Sequence, residues 1–186
     1  MTIRKTPLNQ VEKPMQSAKL MTTATRSLLL LAAGLLFTGC AGHGPGKPVP
    51  WNVDIKKSTA ASIEVDIVGI SPSEDTYWRR SVKPSKYWTP GDPTRKQVQA
   101  RAKTTRFDNG DTFLLKLDDP VWKQWLGYGS TELLIMANLP GRFSDDEADP
   151  RRLLLPLGSK VWQTKDHTIR IEILDGQIRV LTPQNM

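Results

Sequence analysis

Residues 61–186 predict a mainly β fold, a small antiparallel β-sandwich with one to three short helices. Three observations predict it. Ile63, Val65 and Ile67 alternate with Glu64 and Asp66, the period of a strand with one buried face. Asp175-Gly176 separates IRIEIL from QIRVLT, the signature of a two-residue hairpin. Further breaks at Ser71-Pro72, Asn109-Gly110 and Pro140-Gly141 punctuate six or seven short strand-like runs, with only brief helical signals between them.

Taken in order, the run from Ile63 is the first expected core strand, with its two carboxylates facing solvent. SEDTYWRRS then fits one helical turn capped by Ser73. The following VKPSKYWTPGDP carries three prolines, which argues against regular structure and for a loop packed on the sheet. Residues 93–106 admit two readings: a helix begun by Asp92-Pro93, or a strand with Val98, Ala100 and Ala102 inward. Asn109-Gly110 offers a tight turn into a strand over residues 112–117. Asp119-Pro120 and Gly127 bracket a short helix, VWKQWL, whose Trp122 and Trp125 share a face. TELLIMANL is apolar on both faces, as in a central strand covered on both sides. The acidic segment RFSDDEADP is expected as a solvated loop, and residues 151–157 form a further strand whose Pro156 marks an edge or an end. In the last hairpin a two-residue turn pairs Ile173 with Ile178, Glu172 with Arg179 and Ile171 with Val180.

Ahead of this domain, residues 27–37 read SLLLLAAGLLF behind Lys19 and Arg26, the order of a secretory signal. As a helix, residues 27–39 reach only about 20 Å, short of the roughly 30 Å hydrocarbon core. The run closes on Phe37-Thr38-Gly39-Cys40, and Cys40 is the single cysteine of the chain. These residues resemble the bacterial lipoprotein box, with Phe37 standing where an aliphatic residue is usual. The resemblance implies that residues 1–39 are a signal peptide, that Cys40 is acylated and becomes the N-terminus, and that the anchor is its lipid. The competing reading of Cys40 is a chance cysteine after an ordinary signal. A start at Met15 or Met21 would leave residues 1–14 or 1–20 untranslated. Residues 40–60 then comprise the acylated cysteine and a Gly/Pro-rich tether, AGHGPGKPVP, expected to be loose and extended. Ala41 after the lipid site, by resemblance to the sorting rule of enteric bacteria, implies the outer membrane and its periplasmic face.

The whole chain has a formal charge of +7 from 26 basic and 19 acidic residues, but Arg4, Lys5, Lys13, Lys19, Arg26 and Glu12 precede Cys40, which leaves 21 against 18, or +3. That balance is not a nucleic-acid signature. No second cysteine is present for a disulfide, so the domain of about 125 residues must rest on one apolar core.

The sequence offers little for catalysis or metal binding. His43 and His167 stand in no triad motif, and two distant histidines with a lipidated cysteine cannot build a zinc site. The run GHGPGK lacks the spacing and the Ser or Thr of a phosphate-binding loop. Asp145, Asp146, Glu147 and Asp149 lack the ligand spacing and distal glutamate of an EF-hand. The expectation is therefore a non-enzymatic protein with no cofactor, no metal and no nucleic-acid partner.

Recognition is better supported. Arg79-Arg80 and Arg151-Arg152 suit anionic or aromatic partners, with structural ion pairs to Asp75 or Asp149 as the alternative. Trp51, Trp78, Tyr87, Trp88, Trp122, Trp125, Tyr128 and Trp162 are many aromatics for so small a domain; most should fill the core, and an exposed subset beside arginines would make a protein-binding surface. The candidate partner-binding residues are Trp78, Arg79, Arg80, Tyr87, Trp88, Arg142, Arg151 and Arg152. The order TELLIMANLPG, RRLLLPLGSKVW and a closing pair of strands, with the first strand at Ile63, resembles in layout the outer-membrane lipoprotein family of the type VI secretion system. The resemblance implies a transthyretin-like sandwich, where the strand count alone would equally allow an immunoglobulin-like one. It also implies a loop that holds the periplasmic part of an inner-membrane protein, here residues 71–93 or 141–150. PSKYWTPGDP has no counterpart in that layout. Two rival functions are a lipoprotein that binds a small ligand or glycan in a tryptophan-lined groove, predicting a pocket at Trp88 or Trp122, and a hydrolase, predicting two acids converging in a cleft.

Overall fold

The computed structural model describes residues 44–108 and 111–185. The signal segment, Cys40 and the Asn109-Gly110 turn lie outside the described residues. β1 (Asn52–Lys57) is already a core strand, so the sandwich starts inside the stretch expected as tether and Ile63 is not its first strand. The reason is a second alternation, Trp51, Val53 and Ile55 inward, which the neighbouring Pro and Gly residues masked.

β1 forms one sheet with β4 (Thr112–Leu115), β7 (Thr168–Leu174) and β8 (Gln177–Val180) in the order β4-β1-β7-β8. The other sheet is β3-β2-β5-β6, from β2 (Ile63–Ile70), β3 (Lys103–Phe107), β5 (Glu132–Ala137) and β6 (Arg152–Pro156). Every ladder is antiparallel except β1 with β7, which runs parallel. The β7–β8 hairpin has the expected register, Ile173 opposite Ile178 and Glu172 opposite Arg179. β5 is central and β6 ends its sheet at Pro156, where a missing N–H costs no ladder bond.

The core between the sheets contains Val53, Ile55, Val65, Ile67, Leu133, Ile135, Ile169 and Ile171, with Trp51, Trp122, Trp125 and Trp162 filling its ends. Trp122 and Trp125 reach this core from α4 (Val121–Gly127). A second apolar layer lies on the opposite face of β2 and β5, where Val68, Ile70, Leu134 and Met136 meet Trp78, Val82, Tyr87 and Val98 from the segment that follows β2. β2 is therefore covered on both faces, and Asp66, expected in solvent, is 2% exposed.

The covering segment contains α1 (Pro72–Thr76), a π-helical turn (Tyr77–Ser81), α2 (Pro84–Tyr87) and α3 (Pro93–Gln99). The cap of α1 is Ser71, not Ser73, with Pro72 in the first turn and the Ser71 amide donating to Glu74 Oε2 at 2.9 Å. Pro84 opens a short helix within the run expected to be irregular. Residues 93–106 satisfy both readings in turn: α3 first, capped by Asp92 accepting from the Arg95 amide, then β3. α4 (Val121–Gly127) turns Trp122 and Trp125 inward as their spacing predicts, and Gly129, at φ 76°, reverses the chain toward β5. Trp125 lies so tightly on β2 that a Cβ at Gly69 would sit 2.5 Å from its Cβ and Cγ. Among the described residues no helix is long and apolar enough to cross a membrane.

Candidate interaction surface

The flap formed by α1, the π turn, α2 and α3 is held to the sheet by polar anchors set in its apolar underside. The π turn carries one extra residue per turn and swings Trp78 under the flap, 2% exposed, with its ring edge-on to Tyr87 at 6.2 Å. Beneath α2 and α3 sits Asp66. One carboxylate oxygen accepts from Tyr87 Oη at 2.8 Å and Arg95 Nε at 2.8 Å, and the other accepts from Thr104 Oγ1 at 2.6 Å. Arg95 extends to Glu64 Oε1 at 2.5 Å and lies 4.4 Å over the Trp88 ring. Burial, reinforced by the Asp66 charge, pushes the Tyr87 hydroxyl far above the usual phenol range. Arg95 is raised: burial opposes its charge, but the bonds to Asp66 and Glu64 outweigh that cost. The far edge of the flap is closed by Arg101, which donates to Gly69 O at 3.2 Å and also grips Glu74.

The acidic loop before β6 is fastened by the second arginine pair. Arg151 donates to Asp149 Oδ1 at 2.9 Å and, through Nη2, to Asp149 Oδ2 and Asp145 Oδ1 at 2.6 Å each, with its guanidinium 4.8 Å from the Phe143 centroid. Burial would raise the Asp149 carboxyl, but Arg151 overcomes it and holds the group below the usual carboxylate range. Asp145 also accepts from the Ser85 amide at 2.8 Å, which ties the loop to α2. Arg152 reaches under the flap, donating from Nη1 to Trp78 O at 2.7 Å and Val82 O at 2.9 Å and from Nη2 to Asp146 O. Burial pulls Arg152 below its ordinary value, since its ligands are carbonyls rather than carboxylates.

The predicted contact residues thus separate by depth. Trp78, Tyr87, Arg151 and Arg152 are buried supports and do not form a contact surface; the acidic loop, expected to be merely solvated, is pinned by Asp149. Arg79 is half-buried and bridges Asp75 at 2.5 Å and Glu132 at 2.9 Å, the ion-pair alternative named for it. Trp88 is half-buried under Arg95. Arg80, 3.3 Å from Glu147, and Arg142 remain exposed. Sequence reasoning missed Tyr77, Lys83 and Lys86, which with Thr94 line a shallow groove of about 200 Å³ across the outer side of the flap. Tyr77 stands one residue before the buried Trp78, and only the phase of the π turn tells which of the two faces out.

Asp75 and Glu132 approach the paired-acid arrangement a hydrolase would use, at the mouth of a cleft of about 400 Å³ lined also by Pro45, Pro48, Pro72 and Pro156. Burial, then the neighbouring Asp75, raises Glu132, while Asp75 is lowered by its hydrogen bonds despite some burial. Arg79 bridges both carboxylates and ties up the pair. Neither this cleft nor a polar one of about 340 Å³ beside Arg95 and Asp66 has a tryptophan in its lining, and Trp122 is buried in the core. Among the described residues no cluster of three His, Cys, Asp or Glu side chains is arranged to hold a metal. His167, at the entrance to β7, stacks on Trp51 at 3.9 Å and hydrogen-bonds through Nε2 to Pro50 O at 2.9 Å.

No protein-family profile and no curated protein matches the chain. Solved structures of type VI secretion components are among those similar to the chain at low identity. The C-terminal domain of the T6SS protein TssM from EAEC is 14% identical over 70% of this chain and 99% of that one, with a TM-score of 0.47. The T6SS lipoprotein TssJ1 from Pseudomonas aeruginosa is 9% identical over 75% and 99%, with a TM-score of 0.44. Serratia marcescens Lip, described as a membrane-bound component of the type VI secretion system, is 10% identical over 71% and 98%, with a TM-score of 0.44.

Proposed function

We propose that this chain is a lipoprotein held by an acyl group on Cys40 at the periplasmic face of the outer membrane, and that its sandwich is a non-enzymatic module that binds another envelope protein. The observation that carries the reading is the basic-then-apolar run that ends on the single cysteine, followed within a few residues by one folded domain. The shape of that domain supports it. A flap wedged on three buried arginine and carboxylate anchors presents Tyr77, Lys83 and Lys86 around a shallow groove on its outer side, with Arg80 and Arg142 exposed on the same flap and the adjoining loop. The type VI membrane complex is the assembly to test first, because the strand layout resembles its lipoprotein family. The tryptophan-groove alternative loses its support, since five of the six tryptophans are buried and the sixth lies under Arg95.

The test is radiolabelled palmitate incorporation and membrane fractionation of the parent and of Cys40→Ser, together with a photo-crosslinking residue placed at Lys86, at Arg142 and, as a control, at Asp175. Label lost in Cys40→Ser, and crosslinks to one envelope protein from Lys86 or Arg142 but not from Asp175, are expected. Unlabelled parent protein sinks the anchor. Crosslinks from Asp175 alone sink the flap as the contact surface.

A further inference from the structure

We propose that the end of the sandwich capped by α4 and the chain before β1 lies directly on the headgroup layer of an anionic membrane leaflet. The inference rests on the reading of Cys40 as the lipid site and adds an orientation and a second interaction surface to it.

The expected loose tether is largely absent. Pro45 O accepts from the Lys160 amide at 3.1 Å, Lys47 O accepts from the Ser159 amide at 3.0 Å, and the Val49 amide donates to Leu157 O at 3.0 Å. Trp51 Nε1 adds a bond to the same Leu157 O at 3.2 Å. The fit is close: a Cβ on Gly158 would stand 2.1 Å from Pro45 O. Residues 45–51 are thus a strap stapled to the domain, and the linker from Cys40 to Pro45 is only about five Cα steps, at most about 18 Å when fully extended. A domain of this length is roughly 37 Å across. With the lipid in the leaflet, the strap cannot rise above the midline of the molecule, so the end that bears it faces the membrane.

That end has the chemistry of a membrane-contacting surface. The strap, the β4–α4 connection, α4 and the turn after β6 bring Lys47, Lys116, Lys123, Lys160 and Lys165 to it, all exposed. None of the five makes a salt bridge among the described residues, whereas Asp119 and Asp166 of the same end are held by Lys103 and Arg170, leaving Asp118 as an unpaired acid there. Leu117, Tyr128 and Leu181, three of the five large apolar side chains exposed among the described residues, rim the same end at 44%, 63% and 49% exposure. Lysines interspersed with Tyr and Leu suit an interface where the cations meet phosphates and the apolar groups reach the acyl boundary. At the opposite end Asp108, Asp111, Asp145 and Glu147 are held by Arg106, Lys57, Arg151 and Arg80, and Asp146 and Asp175 make no salt bridge among the described residues, so the cluster of free lysines at the strap end has no counterpart among these groups. An anionic leaflet therefore attracts the strap end more strongly than the other.

The experiment uses the full, lipidated protein in vesicles of phosphatidylethanolamine and phosphatidylglycerol that contain a nitroxide-labelled lipid. Because the Cys40 thiol is acylated, one new cysteine at Lys160, at Tyr128 or at Asp175 carries the only fluorophore. Quenching several-fold stronger at Lys160→Cys and Tyr128→Cys than at Asp175→Cys is expected, and reversing Lys47, Lys123 and Lys165 to Glu should erase most of that difference while the protein still floats with the vesicles. Equal quenching at both ends, or a charge-reversed variant quenched like its parent, overturns the orientation. Protein that neither takes up palmitate nor floats overturns the Cys40 anchor itself, and the orientation with it, and is told apart by flotation alone.

Discussion

Asp66→Asn tests whether the flap depends on one buried charge. The carboxylate is 2% exposed and accepts from Tyr87, Arg95 and Thr104. Asparagine keeps the shape but turns an amide donor toward groups that are themselves donors, and it leaves Arg95 with Glu64 as its remaining carboxylate partner. Hydrogen bonds to a charged group contribute about 1.5–3 kcal/mol each, and removing one member of a buried pair costs about 3–5 kcal/mol. The expected destabilisation is about 3–5 kcal/mol, or a fall in Tm of roughly 10–17 °C for a domain of about 140 residues. Urea unfolding followed by tryptophan fluorescence measures the total, and amide exchange measures where it falls. Protection should drop first over α2 and α3, with β7 and β8 unaffected until global unfolding. Replacing both partners with apolar residues, Asp66→Leu with Arg95→Met, should recover part of the loss, because Glu64 keeps Arg106 at 3.6 Å and no fully buried charge is stranded, while the Tyr87 hydroxyl still lacks its acceptor. A loss under about 1 kcal/mol, or exchange accelerated equally in both sheets, would refute the assignment of Asp66 as the flap's anchor.

Other expectations follow from the same contacts. Gly69→Ala drives a methyl into the Trp125 ring, and since both lie in packed structure it should cost about 1–3 kcal/mol in urea unfolding, whereas Gly127→Ala, in α4 where a Cβ meets nothing, should stabilise by about 0.4–1 kcal/mol. Gly158→Ala should release the strap, read as faster proteolysis near residues 45–50 while the thermal transition of the rest of the sandwich persists. Asp149 binds its proton more weakly folded than unfolded, so its contribution is fully present above the ordinary carboxylate pKa of 3.8 and is lost as pH falls through the lower folded value. Asp149→Asn should therefore flatten the fall of the urea midpoint below about pH 4, besides lowering it at neutral pH.

The elements legible in the sequence are those whose specification is local. The β7–β8 register needed only Asp175-Gly176 and six flanking residues, because a two-residue turn and a period-two pattern leave no freedom. The inward face of α4 followed from two tryptophans three apart. β1 was hidden because its apolar positions sit among residues that also describe a linker, and its partners, β4 and β7, lie about 60 and 115 residues away along the chain. The carboxylates of β2 misled for a related reason. Alternation says which face of a strand is polar, not whether a later segment returns to cover that face. The covering flap brings Tyr87 and Arg95, and nothing in IEVDI announces them.

The same limit governs the candidate site. Arg79, Arg80, Arg151 and Arg152 are indistinguishable as adjacent basic pairs, yet Arg80 is exposed, Arg79 half-buried, and the other two lie beneath the surface. Arg151 is the turn residue before β6 and Arg152 its first strand residue, and the two take different partners: Asp149 with Asp145 for the first, the carbonyls of the flap for the second. Burying two guanidiniums is costly unless they are ligated: the acidic loop supplies carboxylates to Arg151, and the flap and that loop supply carbonyls to both Nη atoms of Arg152, whose Nε is left without a partner. The arginines that looked most like an interface are the ones that fasten the flap and the acidic loop. A partner meeting the flap should therefore depend on Tyr77, Arg80 and Lys86 through direct contact, seen as weaker binding with an unchanged melting temperature on substitution, while Arg152→Met should change binding only in step with flap exchange.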